Sequence, residues 1–546
     1  MAILLTSLFV VCFDNVPFWL AVLRSTESES HRGEILLALL VLQVGMLSAV
    51  LALGFGTRML KASAGALLIL ASATDYFISR YGVLIDSSMM RSVVQTNWME
   101  ASPLLTLPFF VHVALFGVIP AAVLAVVPLP RTVWWREACT RLAITAVSGA
   151  AVLAVIYANY AALASFAREH RDVRMLANPA YPLYALVRLL EEAHDRGARD
   201  GPRVMYQARR AAPSAAQSRE PLLLILVLGE TARADRFSVN GYPRDTNRYT
   251  DGLGFINFPE VTSCGTSTAD SVPCLFSHLD RTRFSHSVAA RRESLFELLE
   301  RLDIDAVWRD NNTGCKNVCD PGSFESLATA RDHELCDASG CYDEILLRGL
   351  RRRLADTSRD RFVVLHQRGS HGPAYFSNVP SWAKAYLPEC TRPSLRECSQ
   401  AEIDNAYDNT ILYTDYFLSR VVGLLQEQSA SHEVALLYVS DHGESLGEHG
   451  IYLHGFPYDM APAEQTHVPM MFWAENGFLE RLGIDERCVQ AHAANRYSHD
   501  FVFHTVLSLL RVEAAEYRPE LDLFAACRRR AGGLLSRAGS KGGTGF

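Results

Sequence analysis

The distribution of apolar residues divides this chain into two parts. The first 165 residues contain five long apolar stretches, each close to the roughly 20 residues that a helix needs to cross a bilayer. After about residue 221 the apolar runs are shorter and alternate with stretches of helical pattern. The chain therefore predicts a domain of five transmembrane helices over residues 1–165 and a second domain over residues 221–530. The five stretches are residues 2–23, 35–55, 59–78, 104–128 and 142–164.

Charged residues predict the orientation of the membrane domain. The short loops that contain Arg58 and Arg131 are basic, which places them in the cytoplasm and the second domain outside. The first stretch has no basic leader or small-residue cleavage site, so we do not expect it to be a removed signal peptide. Asp14 and Asn15 lie within that stretch and are costly in lipid, so they should face other helices or the interface.

A polar helix is predicted between the third and fourth apolar stretches. It runs from Asp86 to Glu100 and is capped by its first or second residue. Ser92, Thr96 and Glu100 follow i, i+4, i+8 spacing and therefore share one face. A solvated polar surface explains this spacing as well as a binding site does.

Residues 166–220 connect the two domains. The amphipathic pattern of residues 183–190 predicts a helix on the membrane surface, and residues 195–219 have the composition of a flexible linker. At the other end of the chain, residues 531–546 are rich in Gly, Arg and Ser and are predicted to be disordered.

The strand-like runs of the second domain alternate with helical stretches, which favours an α/β/α fold with a mainly parallel sheet. Three of these runs, residues 222–228, 362–365 and 434–439, stop at polar residues. In open α/β sheets the ligand crevice lies beyond the carboxyl ends of the strands, so distant residues can converge there. The helical stretches are residues 295–302, 342–354 and 407–426.

Cysteine usage indicates an oxidising compartment for the second domain. Of 12 cysteines only two belong to the membrane region, and four close pairs occur in loop-like sequence. Such pairs predict local disulfides, with a structural zinc knuckle as the competing interpretation. Cys488 and Cys527 have no obvious close partners. The net charge of −7 decides nothing about a nucleic-acid partner. The four pairs are Cys264/Cys274, Cys315/Cys319, Cys336/Cys341 and Cys390/Cys398.

Glu230, Asp441 and His442 follow two of these runs and form a candidate metal site. Their mixed oxygen and nitrogen donors suit zinc or manganese and leave at least one position for another ligand. A single Glu after a strand is most often a helix cap, and a single His is usually structural. Three such residues at strand ends favour metal binding.

Residues 262–274 contain the candidate nucleophile. Hydroxyl-rich sequence of this kind is usually a turn or a helix cap. Here the Cys264/Cys274 pair would fix its geometry, and the positive end of a helix together with a metal would favour an attacking alkoxide. The residues alone leave Thr266, Ser267 and Thr268 nearly equivalent.

These motifs together resemble the phosphoethanolamine transferases of Gram-negative envelopes. The resemblance covers the membrane domain and nearly all of the rest. It implies an inner-membrane protein with an alkaline-phosphatase/sulfatase-like periplasmic domain that takes phosphoethanolamine from phosphatidylethanolamine. The motifs are Glu230 after a strand, Cys-Gly-Thr-Ser-Thr-Ala from Cys264, Arg-Asp-Asn-Asn from Arg309, Ser-His-Gly-Pro from Ser370, and Ser-Asp-His-Gly-Glu-Ser-Leu-Gly-Glu from Ser440.

The resemblance also assigns roles to individual residues. It makes Thr268 the nucleophile that carries phosphoethanolamine, and it completes a Zn²⁺ site around Thr268, with a second ion as an option. The other zinc ligands it implies are Glu230, Asp441 and His442. It implies that a second set of residues binds the phosphoethanolamine group or a second metal, and that the two histidines of this set also transfer protons. That set is His371, His454, Asn312 and Lys316. On the membrane side, Thr96 and Glu100 would meet the ethanolamine, as would Ser92, where Asn is usual in the family.

We therefore expect transfer of phosphoethanolamine to lipid A by a membrane-embedded monomer with no nucleic-acid partner. The added ammonium would offset lipid A phosphate charge and favour resistance to cationic peptides such as polymyxin. The alternatives are transfer to a core sugar or another envelope glycan, and a related metal-dependent hydrolase or phosphoglycerol transferase. A non-enzymatic envelope scaffold is the remaining rival.

Overall fold

The fold was analysed in a computed structural model, which describes residues 1–27, 32–54, 56–129, 133–197, 203–211, 220–355 and 358–529. The predicted tail, residues 531–546, lies outside these ranges. The helices of the amino-terminal part are α1 (Ala2–Phe13), α2 (Val16–Ser25), α3 (Arg32–Ala52), α4 (Thr57–Tyr81), α5 (Ser87–Gln95), α6 (Trp98–Ala101), α7 (Leu107–Val113), α8 (Ile119–Val126), α9 (Trp134–Ala158), α10 (Tyr160–Glu169), α11 (Arg171–Met175) and α12 (Ala180–Gly197).

Within the described ranges, four helices are long and apolar enough to cross a membrane, with α7 and α8 counted as one. The first predicted span is instead the pair α1 and α2, bent by 63°, which gives a fifth span if the pair is counted as one. The bend lies at Asp14 and Asn15, which are buried. The Asn15 amide donates to the carbonyl of Asn178, and the Asn178 amide donates to the carbonyl of Asp14. Protein contacts therefore satisfy the Asn15 amide and the Asp14 backbone carbonyl, whereas the Asp14 carboxylate is buried without a hydrogen-bond partner among the described residues.

The polar helix predicted from Asp86 to Glu100 is broken. Helix α5 begins at the predicted cap, where the Asp86 carboxylate accepts from the backbone N–H of Met89 at 2.9 Å. It ends at Thr96, which has extended backbone, and α6 restarts behind a second cap, Asn97. The break occurs because Asn97 accepts from the Glu100 N–H at 3.1 Å and so starts a new helix.

An eight-stranded sheet forms the centre of the second domain, in the order β13-β3-β12-β9-β2-β8-β4-β5. Every neighbouring pair is parallel except the two that involve β12, so the mainly parallel sheet is confirmed. The strands are β1 (Ala208–Arg210), β2 (Leu222–Gly229), β3 (Ile256–Thr262), β4 (Asp305–Asp310), β5 (Phe324–Ser326), β6 (Cys336–Asp337), β7 (Gly340–Cys341), β8 (Arg361–His366), β9 (Glu433–Ser440), β10 (Ser445–Leu446), β11 (Tyr452–Leu453), β12 (His467–Ala474), β13 (Tyr497–Ser498) and β14 (Val512–Ala514).

Helices cover both faces of this sheet. All eight residues of β2 are buried, because its side chains alternate between two apolar cores. Leu224 joins the core beneath α15 and α21, whereas Ile225 joins the core beneath α17. The helices of this domain are α13 (Thr268–Leu275), α14 (His286–Ala289), α15 (Leu295–Arg301), α16 (Leu350–Arg353), α17 (Gln400–Gln428), α18 (Ala463–Thr466), α19 (Phe478–Arg481), α20 (Glu486–His492) and α21 (Asp500–Leu509).

Some local expectations differ from the structure. The helix expected over residues 342–354 is a 3₁₀ turn followed by the short α16, separated at Gly349, whose φ of +74° suits glycine. Part of the predicted linker is strand β1, which pairs with β14. The four local disulfides are present, which removes the zinc-knuckle alternative, and Cys488 pairs with Cys527 in a fifth.

Candidate active site

Five parallel strands deliver polar residues to one edge of the sheet. Glu230 follows β2, Asp441 and His442 follow β9, and His366 ends β8. Asn312 lies two residues beyond β4. Strand β3 leads through a short turn to Thr268 at the start of α13. Because the carboxyl ends of parallel strands meet at one edge, residues more than two hundred positions apart come into contact there.

Glu230, Asp441 and His442 form a compact, buried cluster whose ligand atoms all lie within 4.8 Å of one another. The His442 Nε2 atom lies 3.2 Å from Glu230 Oε1 and 3.5 Å from Asp441 Oδ2. His442 Nδ1 lies 2.9 Å from the Gly443 carbonyl, to which it donates. This bond fixes the ring so that Nε2 faces the two carboxylates.

The electrostatics of the cluster favour a cation. Burial and the charge of Glu230 raise the pKa of Asp441 to about 7. Burial opposes a charge on His442, yet Asp441 and Glu230 raise its pKa to about 10. Two carboxylates and an imidazole in a water-poor site therefore attract a positive charge. Asp441 Oδ2 is buried and has no hydrogen-bond partner among the described residues. The donor set fits a metal ion, which would occupy the position between these ligands.

The three candidate nucleophiles are separated by their contacts. The Thr266 hydroxyl donates to the Phe456 carbonyl at 2.6 Å and is thereby engaged elsewhere. Ser267 is the N-cap residue of α13, and its hydroxyl is buried without a described partner. Thr268 Oγ1 lies 3.1 Å and 3.0 Å from the two Glu230 carboxylate oxygens and 3.4 Å from His442 Nε2. Only Thr268 among the three faces the candidate metal cluster.

The Cys264–Cys274 disulfide brackets the segment that carries Thr268. His499 holds the same segment, since its Nδ1 accepts from the Cys264 N–H at 3.1 Å and its Nε2 donates to the Ser440 carbonyl at 2.9 Å. The nucleophile-bearing turn is thus joined to the end of β9, which supplies Asp441. Thr268 is the first residue of α13, where the helix dipole favours negative charge.

His371 and His454 form a second pair beside the cluster. Their Nε2 atoms lie 3.4 Å apart, and the His454 ring centroid lies 4.5 Å from that of His442. Burial and the adjacent His442 and His371 hold the pKa of His454 well below its usual value. A neutral imidazole at this position can accept a proton or bind a metal. His371 Nε2 also lies 3.7 Å from Glu100 Oε1, on the membrane-side segment.

Asn312 occupies a different place from the other expected substrate-binding residues. It is 9 % exposed, and its amide donates to Glu230 Oε2 at 2.5 Å and to the Gln367 carbonyl at 3.0 Å. It therefore orients a candidate metal ligand from behind. A role in substrate binding stays a prediction.

His366 and Asp310 are site residues to which the sequence assigned no role, although Asp310 belongs to the Arg-Asp-Asn-Asn motif and His366 directly follows one of the three apolar runs. His366 Nδ1 lies 2.8 Å from Asp310 Oδ1, and its Nε2 lies 3.8 Å from Glu230 Oε2. Burial opposes a charge on His366, but Asp310 and Glu230 raise its pKa to about 9. The sequence signal was a histidine at the very end of an apolar run.

An apolar cavity of roughly 330 Å³ leads from Thr268 to the membrane-side helices. Its polar wall contains Ser92, Thr96, Glu100, Lys316 and the two histidines, so the broken helix still presents the three expected residues to one space. Burial raises the pKa of Glu100 and lowers the pKa of Lys316. Its apolar wall consists of Phe77, Tyr81, Val83, Ile85, Met89, Val93, Leu104, Leu105 and Leu453.

A salt-bridge network joins α5 to the nucleophile helix. Asp270, two residues after Thr268, accepts from Ser88, from Arg91 and from His286. Arg91 also donates to Glu192 on α12 at 2.5 Å. The helix that lines the cavity is thereby tied to the helix that begins at Thr268.

A mainly parallel sheet with a buried candidate metal site and a candidate hydroxyl nucleophile, joined to membrane helices, defines a membrane-bound member of the alkaline phosphatase and sulfatase superfamily. The family model described as "Sulfatase" matches residues 223–512, and the one described as "Phosphoethanolamine transferase EptA/EptB" matches residues 43–194. The chain is 34 % identical to phosphoethanolamine transferase EptA of Salmonella typhimurium over 96 % of each chain.

The chain therefore belongs to the phosphoethanolamine transferase family. It is also 34 % identical to phosphatidylethanolamine transferase Mcr-1 of Escherichia coli over 93 % of this chain and 94 % of that one. Among solved structures, the integral membrane lipooligosaccharide phosphoethanolamine transferase A of Neisseria meningitidis superposes with a TM-score of 0.90 at 32 % identity, covering 97 % of this chain and 98 % of that one.

Proposed function

We propose that this protein transfers phosphoethanolamine from phosphatidylethanolamine to lipid A by two successive displacements at Thr268. The observation that carries the proposal is the position of the Thr268 hydroxyl, within 3.1 Å of the Glu230 carboxylate and at the end of a cavity that reaches the membrane-side helices. The printed names of two relatives, phosphatidylethanolamine transferase Mcr-1 and Kdo(2)-lipid A phosphoethanolamine 7''-transferase, support the donor and the acceptor.

In the first displacement the Thr268 oxygen attacks the phosphorus of the donor. The P–O bond to diacylglycerol breaks, and diacylglycerol leaves with a proton. The Glu230 carboxylate, 3.0 Å from the hydroxyl, holds the Thr268 proton and orients the attacking lone pair. The product of this step is a phosphothreonine ester that carries ethanolamine.

Glu230, Asp441 and His442, together with Thr268, would hold a zinc ion. When bound, zinc supplies positive charge that favours the alkoxide form of Thr268 and offsets charge on the phosphoryl oxygens. Lys316, on the wall of the cavity, adds a second positive charge near those oxygens. Removal of metal by a chelator should abolish transfer, and zinc should restore it; transfer that is indifferent to the chelator would contradict the zinc assignment.

The donor headgroup fits the polar wall of the cavity. The Glu100 carboxylate can pair with the ethanolamine ammonium, while Thr96 and Ser92 offer hydroxyl oxygens nearby. Acyl chains would lie along the apolar wall formed by α4, α5 and the residues before α7. A cavity with one polar wall and one apolar wall matches a phospholipid better than a soluble phosphate ester.

In the second displacement a phosphate oxygen of lipid A attacks the phosphothreonine. The bond between phosphorus and Thr268 Oγ1 breaks, and the threonine oxygen regains a proton. His371 and His454 lie beside the cluster and can carry that proton from the attacking phosphate to the threonine oxygen, because the low pKa of His454 leaves a ring nitrogen free to accept it first.

Mass spectra of lipid A test this function. The protein would be expressed in a laboratory strain that lacks its own transferases, as the unmutated chain, Thr268→Ala or Thr282→Ala. Thr282 is exposed and its hydroxyl donates to Asp280, so Thr282→Ala is a control outside the site. A phosphoethanolamine adduct is expected with the unmutated and Thr282→Ala proteins only. Retained transfer by Thr268→Ala would refute the assigned nucleophile.

Transfer to a core sugar is the second candidate. The Kdo(2)-lipid A phosphoethanolamine 7''-transferase of Escherichia coli is 26 % identical over 52 % of this chain, and its name gives a sugar-bearing acceptor. Unmodified lipid A beside a modified core oligosaccharide in the same strain would favour this alternative. Release of free phosphoethanolamine without any adduct would favour a hydrolase.

The proposed setting is the inner membrane, with the second domain in the periplasm and the protein acting as a monomer. Five disulfides in that domain and an amino-terminal group of apolar helices support this location. Added ammonium groups would weaken the attraction of lipid A for polymyxin. Loss of polymyxin protection in the Thr268→Ala strain is the expected outcome.

A further inference from the structure

A second cavity borders the same segment that carries Thr268. Its volume is about 320 Å³, and Cys264, Gly265, Thr266 and Asp270 form one of its walls. The next three residues after Thr266 line the apolar cavity instead. The short turn that carries Thr268 therefore borders two cavities of different chemistry.

The walls of the second cavity contain several hydroxyl and cationic groups. Ser88, Ser285 and Ser287 contribute hydroxyls, and Arg281 contributes a guanidinium. The Arg281 guanidinium lies 3.7 Å from the centre of the Tyr458 ring, which also lines the space. Hydroxyls, an arginine and an aromatic face are the groups that bind a phosphate-bearing sugar.

The acidic groups of this cavity both contact Arg91. Asp270 accepts from Arg91, Ser88 and His286, and Glu192 accepts from Arg91. By contrast, Arg281 has no carboxylate within salt-bridge distance among the described residues, since only its backbone N–H donates to Asp500. Arg281 is therefore the arginine of this cavity whose side chain forms no described ion pair, and it can contact an anion.

We propose that this polar cavity binds the phosphate-bearing sugar of the acceptor, with Arg281 as the phosphate ligand. The inference rests on the proposed function and names the acceptor subsite for it. The apolar cavity suits the acyl chains of the donor, whereas a sugar phosphate needs hydrogen-bonding groups such as those of the second cavity. Helix α12 contributes Glu192 to this cavity, so it opens beside the segment that connects to the membrane domain.

The test separates loading of the enzyme from its discharge. Full-length protein in detergent is first incubated with labelled phosphatidylethanolamine alone, and label on the protein is measured. Lipid A, or soluble glucosamine phosphate, is then added, and loss of label is followed as a function of acceptor concentration. Two variants, Arg281→Gln and Ser287→Trp, remove the charge and fill the space respectively.

Two matched controls lie close by. Arg283 is exposed and pairs with Asp280, so Arg283→Gln changes charge outside the cavity. Val288 is 42 % exposed and does not line the space, so Val288→Trp adds the same bulk beside it. We expect unchanged loading in all four variants and a rise of about tenfold in the acceptor concentration for half-maximal discharge in the first two alone.

The outcomes distinguish the two claims. Absence of loading in the unmutated protein overturns the proposed function and this inference with it. If Ser287→Trp and Arg281→Gln load normally and discharge as the unmutated protein does, the inference is overturned and the proposed function is not. A defect in loading instead of discharge has the same consequence. A defect with both acceptors supports recognition of the sugar phosphate, whereas a defect with lipid A only would refute it in favour of acyl-chain recognition. If Arg281→Gln fails to fold, Ser287→Trp decides.

Discussion

Replacement of Asn312 by alanine should weaken metal binding without unfolding the protein. The Asn312 amide donates to Glu230 Oε2 at 2.5 Å, and Glu230 is the carboxylate closest to Thr268. Without this bond the Glu230 carboxylate loses one of the contacts that orient it. The neighbouring His442 and Thr268 still contact Glu230, so zinc binding should be weakened but not abolished.

The size of the loss in zinc affinity follows from the charge of the Glu230 carboxylate, which accepts the hydrogen bond. A hydrogen bond to a charged group contributes about 1.5–3 kcal/mol, and outer-shell partners of metal ligands change affinity by roughly 10- to 100-fold. Water can enter the space left by the amide, which favours the lower end, so we expect about tenfold weaker zinc binding. Asn312→Asp also loses the amide donor, but its added negative charge attracts the cation, so zinc binding should weaken less than in Asn312→Ala.

Competition with a chromophoric zinc chelator measures this affinity on full-length protein in detergent. Asn257→Ala is the control, since the Asn257 amide donates to Asn240 at 2.7 Å in a part of the second domain that contributes no group to the cluster. Unfolding temperatures of all variants should be compared under metal-free conditions. Zinc affinity of Asn312→Ala equal to that of the unmutated protein would refute the inference that Asn312 orients Glu230.

Three further predictions concern other contacts. Arg91→Met removes the link between α5 and Asp270, so we expect kcat/KM for phosphatidylethanolamine to fall on the order of tenfold, about 1.4 kcal/mol; Arg188→Met, which breaks an exposed pair on α12, should have no effect. Gly443→Ala would place a methyl group on the Glu464 carbonyl oxygen and displace His442, so measured zinc affinity should fall; unchanged affinity would contradict the crowding. Burial lowers the pKa of His499 from its ordinary 6.5 to about 3, so below pH 6.5 the unfolded chain gains a proton that the folded one does not. As the pH is lowered from 6.5 towards 3, the free energy of unfolding should therefore fall by at most about 1.4 kcal/mol per pH unit from this group. Denaturant titrations at several pH values should show that the free energy of unfolding of His499→Gln depends less on pH.

Residues at strand ends could be located from the sequence because two physical patterns coincide there. An apolar run that stops at a polar residue marks a buried strand, and parallel strands share one edge. Glu230, Asp441 and His442 were found in this way, and the structure brings their ligand atoms within 4.8 Å of one another. Choosing Thr268 over Thr266 and Ser267 needed the resemblance, because the contacts that separate these hydroxyls come from elements far away in the chain.

Other features depend on tertiary contacts that leave little trace in local pattern. The Cys488–Cys527 disulfide joins residues 39 positions apart, so spacing did not pair them. Strand β12 has the same apolar pattern as its neighbours, but it runs antiparallel to them. The first apolar stretch bends at Asp14 and Asn15 because Asn178, from a later segment, supplies their hydrogen bonds.

Peptide mass spectrometry of the donor-loaded protein tests the central claim most directly. Full-length protein would be incubated with phosphatidylethanolamine without acceptor, quenched and digested. The account predicts a phosphoethanolamine group on Thr268, which disappears when lipid A is added before the quench. Continued transfer without any adduct on Thr268, or with an adduct on a different residue, would contradict it.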